Sequence, residues 1–143
     1  MQLYELTAHE LHEKLKAREI TSVEVTESVY DRIGAVEEQI KGYITLTREI
    51  AFEQAAAADN GFQSGDEMSP LAGVPVAIKD LICTKGVLTT CGSQILGNFV
   101  SPYDATVMTK LHQQGIVMIG KTNMDEFAMG SSTENSAYQI TRN

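Results

Sequence analysis

The chain has 143 residues, 43% of them hydrophobic and 21% charged, the composition of one ordinary globular domain and not of a disordered tail. Nineteen acidic against eleven basic residues leave a net charge of −8, which argues against this segment gripping a phosphate backbone itself; nucleic acid contact is expected only through a partner. No apolar run approaches the roughly 18–20 residues of a membrane span, and Met1 leads into polar, helix-like sequence, so no membrane contact and a cytoplasmic location are expected.

The first forty residues predict two helices that start with the same device. Thr7 and Glu10 have the spacing of a capping box with Leu6 and Leu11 as its hydrophobic staple, and Thr21 and Glu24 repeat it with Ile20 and Val25. The second helix carries an apolar stripe of Val25, Val29, Ile33, Val36 and Ile40. A third helix is predicted over 47–58, stopped by Asp59-Asn60-Gly61. Residues 61–70 read as a polar surface loop, so the chain divides into a helical part (1–60), a loop (61–70) and the start of an α/β core (71–143).

Beyond the loop, 74–78 is β-branched and apolar, and 84–103 is a long connection rich in Thr, Gly, Ser and Pro. Asp104 stands where a helix carrying Val107, Met108 and Leu111 would be capped; Gly115 stops that helix and 116–119 is a second apolar strand. This predicts an α/β fold: N-terminal helices, then the first βαβ part of a sheet, with its two strands parallel. Ligand sites in such sheets gather beyond the carboxyl ends of the strands, where Lys79 and Lys121 both fall. Two parallel strands do not make a stable sheet, so a chain stopping at Thr141-Arg142-Asn143 is expected to be part of a longer protein and poorly stable alone.

Lys79 is the residue that most demands a reason, because it closes an apolar strand and precedes Leu81-Ile82-Cys83. Either its ammonium reaches water past the strand end, or it is held in a desolvated site. In the second case it can serve as the base of a serine relay, which requires lowering a pKa near 10.4 by about 3 units, roughly 4 kcal/mol. Asp80 opposes this only if its carboxylate points the same way, and neighbouring strand residues point apart. A catalytic and a structural Lys79 both remain open on these grounds.

Other candidates are weaker. No glycine-rich phosphate motif follows either strand, and Gly120-Lys121-Thr122 matches only the tail of one. His9 and His12 are three apart instead of the four that a zinc helix uses, and His112 stands alone. Cys83 and Cys91 fit no metal or redox spacing and are expected to be buried free thiols. Ser131 and Ser132 follow Gly130 without a nucleophile elbow and read as loop residues.

Taken together, Gly73-Val74-Pro75-Val76-Ala77-Ile78-Lys79-Asp80, Cys83-Thr84-Lys85-Gly86, Ser101-Pro102-Tyr103-Asp104-Ala105-Thr106-Val107 and the run from Gly120-Lys121-Thr122-Asn123 through Gly130-Ser131-Ser132 resemble the amidase signature family. Within it they look like the A subunits of aspartyl/glutamyl-tRNA amidotransferases, over essentially the whole chain. The resemblance implies an α/β/α mixed sheet, incomplete in this chain, and a serine, cis-serine, lysine triad whose lysine matches Lys79. Both serines and the oxyanion donors are expected in a Gly-Gly-Ser-Ser-Gly-Gly-Ser segment shortly beyond Asn143, so this chain alone is expected to be inactive. The resemblance further implies that Met129, Gly130 and Ser131 border the substrate cavity. It implies release of ammonia from glutamine within a heterotrimer completed by the B and C subunits. The chain itself would bind no cofactor; a partner would use ATP and Mg and bring the misacylated tRNA. A stand-alone amidase of another small amide and a non-catalytic docking module are the alternatives.

Overall fold

The computed structural model describes residues 2–143. Its elements are α1 (Ala8–Lys16), α2 (Ser22–Ile40), β1 (Tyr43–Leu46), α3 (Arg48–Ser64), β2 (Pro75–Lys79), α4 (Thr106–Gln113) and β3 (Val117–Thr122), with short 3-10 turns at Leu3–Glu5, Gln94–Leu96 and Glu126–Ala128. The chain forms two compact units, each assembled from separate stretches of sequence. One comprises the chain up to Ala35 with Thr47–Val76 and Leu111–Ile119; the other comprises Val36–Leu46, Ala77–Lys110 and Gly120–Asn143.

In the first unit both predicted capping boxes form. The Thr7 N–H donates to Glu10 Oε2 at 2.8 Å while the Glu10 N–H donates to Thr7 Oγ1 at 3.3 Å. At α2 the reciprocal bonds are Thr21 N–H to Glu24 Oε2 (2.7 Å) and Glu24 N–H to Thr21 Oγ1 (3.1 Å). The two donors between them, Ser22 and Val23 N–H, are taken by the Asp59 carboxylate at 2.6 and 3.1 Å. The orphan donors that open a helix are thus met by side chains from two places in the sequence. The staple residues join the core: Leu11, Val25 and Val74 cluster with Leu3, Leu6 and Ile20 against them, and Leu15, Phe62 and Ala72 form a second cluster with Ile20 and Met68.

Two predictions are corrected here. The third helix does not stop at Asp59-Asn60-Gly61 but runs to Ser64, where Gly65 takes the left-handed conformation that closes it. Tertiary packing overrides the local stop signal: Phe62 is buried against Leu15 and Ala72, and the Met68 thioether lies 2.7 Å from where a Cβ of Gly61 would stand. Likewise the part predicted to be helical contains β1. The buried face of α2 is also wider than its apolar stripe, since Ser22, Thr26 and Tyr30 are buried while Ile40 is exposed. The Tyr30 hydroxyl donates to the Ile119 carbonyl at 2.7 Å, which is how a polar residue comes to sit there.

The strands lie in the order β1-β3-β2. The Val117 N–H meets the Val74 carbonyl (2.9 Å) and the Asp80 N–H meets the Thr122 carbonyl (3.2 Å), so the bonds advance together and β2 and β3 run parallel as predicted. The third strand is one that the sequence pattern does not announce: β1 pairs antiparallel with β3, Tyr43 opposite Thr122 and Leu46 opposite Gly120. Gly120 is required there, because a Cβ would stand 2.4 Å from the Thr45 carbonyl oxygen. The long connection after β2 is ordered by bonds that pair 86–89 with 99–101. α4 begins at Thr106, and Asp104, two residues earlier, accepts the Lys85 N–H at 2.7 Å.

Candidate active site

The carboxyl end of β2 presents Lys79 to solvent and turns Asp80 inward, where it is fully buried. This is the first of the two placements that the sequence left open for Lys79. The alternation of the strand starts the two side chains in opposite directions. The backbone beneath Lys79 is held on every side: its carbonyl accepts the Ile82 N–H (2.9 Å), the Asp80 N–H donates to Thr122, and the Asp80 carbonyl accepts the Cys91 N–H (3.2 Å).

The buried lysine of the site is Lys121. Its Nζ donates to the Ile82 carbonyl at 2.7 Å and to Thr89 Oγ1 at 3.0 Å, and lies 3.6 Å from Asp80 Oδ1. Both members of the ion pair are fully buried. The other carboxylate oxygen of Asp80 accepts the Thr90 N–H (2.9 Å) and the Thr90 hydroxyl, while Oδ1 has no hydrogen bond and depends on the Lys121 charge. Burial pushes the Lys121 ammonium below the ordinary lysine value, and the Asp80 carboxylate opposes that fall. Ile82, Thr89 and Asp80 all face it with acceptor oxygens, so Lys121 sits as an ammonium in a cage that suits a proton donor, not a base.

Cys83 and Cys91 are free but half-buried, a correction to their expected full burial. Burial and the nearby Asp80 carboxylate push the Cys91 thiol up, the opposite of what a reactive thiolate requires. Cys91 matters through its backbone, with φ at 53°: its N–H meets Asp80 and its carbonyl accepts the Phe127 N–H at 2.9 Å. One residue therefore ties the strand end that carries Lys79 to the turn that carries Met129, Gly130 and Ser131.

That turn is built around the Asp125 carboxylate. It accepts the N–H groups of Ser132 (3.0 Å), Thr133 (3.0 Å) and Asn135 (2.9 Å), which hold the carboxyl below its usual range, the Asn135 bond foremost. A Cβ on Gly130 would fall 2.5 Å from the same carboxyl carbon, so only glycine lets the loop close this tightly. Phe127 and Ala128 adopt positive φ, and Met129, Gly130 and Ser131 are exposed at the rim. Ser132 is exposed as well, its hydroxyl donating to Glu134 at 2.9 Å. Among the described residues no group of three His, Cys, Asp or Glu could hold a metal ion. Sequence patterning does not single out Lys121 as the buried cation, nor Thr89, Thr90 or Asp125; only Lys121 carries a local signal, its place at the end of an apolar strand.

Residues 24–143 match the family model described as Amidase. The chain belongs to the amidase family. The resemblance carried by Gly73 to Asp80 and by Asn123 to Ser132 is borne out, as is the mixed α/β fold. Over all 143 residues the chain is 59% identical to the A subunit of the glutamyl-tRNA(Gln) amidotransferase of Desulfatibacillum aliphaticivorans, of which it covers 29%. The solved A subunit of the glutamyl-tRNA(Gln) amidotransferase from Thermotoga maritima superposes with a TM-score of 0.70 at 33% identity, over 100% of this chain and 28% of that one. A bacterial aryl acylamidase of the amidase signature family superposes with a TM-score of 0.90 at 27% identity, over 96% of this chain and 29% of the other. The chain thus spans less than a third of the length of these amidases. No helix among the described residues is long and apolar enough to cross a membrane.

Proposed function

We propose that the protein containing these residues hydrolyses the side-chain amide of glutamine and supplies the ammonia for amidating glutamate or aspartate misattached to tRNA. The observation that carries this reading is the 54–59% identity, sustained over all 143 residues, to glutamyl-tRNA(Gln) amidotransferase A subunits. In this reading Lys79 is the base: it takes a proton from a bridging serine, which takes one from the serine that attacks the amide carbonyl. Ammonia leaves, and water releases glutamate from the acyl-enzyme. The serines and the oxyanion donors, worth about 3–4 kcal/mol of transition-state stabilisation, belong to the protein beyond Asn143. Lys79 is exposed in this segment, so the reading requires the rest of the protein to cover it. Met129, Gly130 and Ser131 form one wall of the substrate cavity.

The B and C subunits complete the enzyme, and the partner that uses ATP and Mg also holds the tRNA, a division that suits the net charge of −8. The location is cytoplasmic. Ammonia release by the full-length protein with its partners, wild type against Lys79→Ala, tests the reading. Loss of at least a hundredfold is expected in the variant, and unchanged release would refute the role of Lys79. The fold likeness to an aryl acylamidase supports a second reading, a stand-alone amidase. Full turnover of small aryl amides without partners, and none of glutamine with them, would decide for it.

A further inference from the structure

We propose that Lys121 is a positioning residue for Lys79: its buried ammonium keeps the Asp80 carboxylate turned into the core, away from the Lys79 side chain. The inference rests on Lys79 acting as the base. Asp80 is one peptide bond from Lys79 and carries the charge most damaging to a lysine base, because a carboxylate beside an ammonium stabilises its protonated form. It is sequestered by Thr90 on Oδ2 and by Lys121 alone on Oδ1, which has no hydrogen bond.

A buried ion pair is a poor way to fill space, since apolar side chains of similar volume are commonly as stable. The pair therefore calls for a role beyond packing. Its geometry suggests one. Lys121 reaches across from β3 to the Ile82 carbonyl, to Thr89 and to Asp80, and Ile82 is the residue whose N–H closes the turn on the Lys79 carbonyl. The one ammonium thus engages both the side chain that must stay inside and the far end of the turn from which Lys79 projects. Without the Lys121 ammonium, Asp80 is a buried unpaired carboxylate that gains by turning out to water, where Lys79 is exposed one residue away.

The test measures glutamine hydrolysis by the full-length protein with its partners. It compares wild type, Lys121→Met, Asp80→Asn/Lys121→Met and Lys79→Ala, each normalised to active sites titrated with a covalent electrophilic glutamine analogue. Lys121→Met is expected to lower kcat per site by about ten- to a hundredfold with KM within about twofold, as for a displaced catalytic group. The double variant, which has no carboxylate to confine, is expected to regain at least tenfold of that loss. A Lys121→Met enzyme whose kcat per site is unchanged, with only less folded protein, would overturn the proposal; so would a double variant as slow as the single one. If Lys121→Met does not fold, a folded double variant more than tenfold below wild type in kcat overturns it equally. Activity in Lys79→Ala would instead show that the base has been misassigned.

Discussion

Asp59 gives the sharpest test of how this structure is held. It lies on α3, yet its carboxylate receives the Ser22 and Val23 N–H groups at 2.6 and 3.1 Å and so completes the N-terminus of α2. Asp59→Ala orphans both donors, one of them in a residue with no exposed surface. Loss of such a cap costs about 1–2 kcal/mol, and loss of a negative charge at a helix N-terminus adds about 0.3–1 kcal/mol. The first turn of α2 should then open on the order of ten to a hundred times more often. Asp59→Asn keeps one of the two acceptor oxygens but not the charge, so it should lose roughly two thirds as much. Hydrogen exchange on the amides of 22–26, in the full-length protein, reads this directly. Exchange in Asp59→Ala within twofold of wild type would refute the reasoning, because the local Thr21–Glu24 box would then suffice alone.

Gly120→Ala and Gly34→Ala should move stability in opposite directions. The first drives a Cβ against the Thr45 carbonyl and should lower stability, measured in denaturant, by about 1–3 kcal/mol. The second meets nothing within 4 Å inside α2 and should raise stability by about 0.5–1 kcal/mol. Glu10 and Glu24 both titrate below the ordinary carboxylate value, chiefly through the Thr7 and Thr21 N–H groups, so their contribution is present above the unfolded pKa and is lost as pH falls through the folded one. The stability gap between wild type and Glu10→Gln/Glu24→Gln, measured in urea, should be open at neutral pH and close below about pH 4. Residues 1–143 expressed alone should show no sharp thermal transition, since three short strands leave sheet edges unpaired; a cooperative melt would contradict this.

What can be read from the sequence is what neighbouring residues decide among themselves. The boxes at Thr7 and Thr21, their staples and the stop at Gly115 depend on contacts three to five residues apart, and all appear as predicted. The end of α3 is displaced because Asn60-Gly61 is overruled by Phe62, whose burial depends on Leu15 and Ala72. β1 escapes notice because Tyr43-Ile44-Thr45-Leu46 is too short to show a period between two helices. The site follows the same rule. Lys79 and Lys121 each follow an apolar strand, and nothing local separates them; Asp80, Ile82 and Thr89, some 30–40 residues from Lys121, determine that Lys121 is the buried one.

The strand that lies in the middle of the sheet is the last of the three to be synthesised. As the chain leaves the ribosome, β1 and β2 emerge in turn with no partner for either, while the helices can already form on local bonds. Only when Val117–Thr122 appears can both neighbours be closed at once. Until then the nascent protein exposes two open edges separated by a long helix, which makes the passage of roughly forty residues after β2 the interval in which a chaperone, or a wrong partner, has its opportunity.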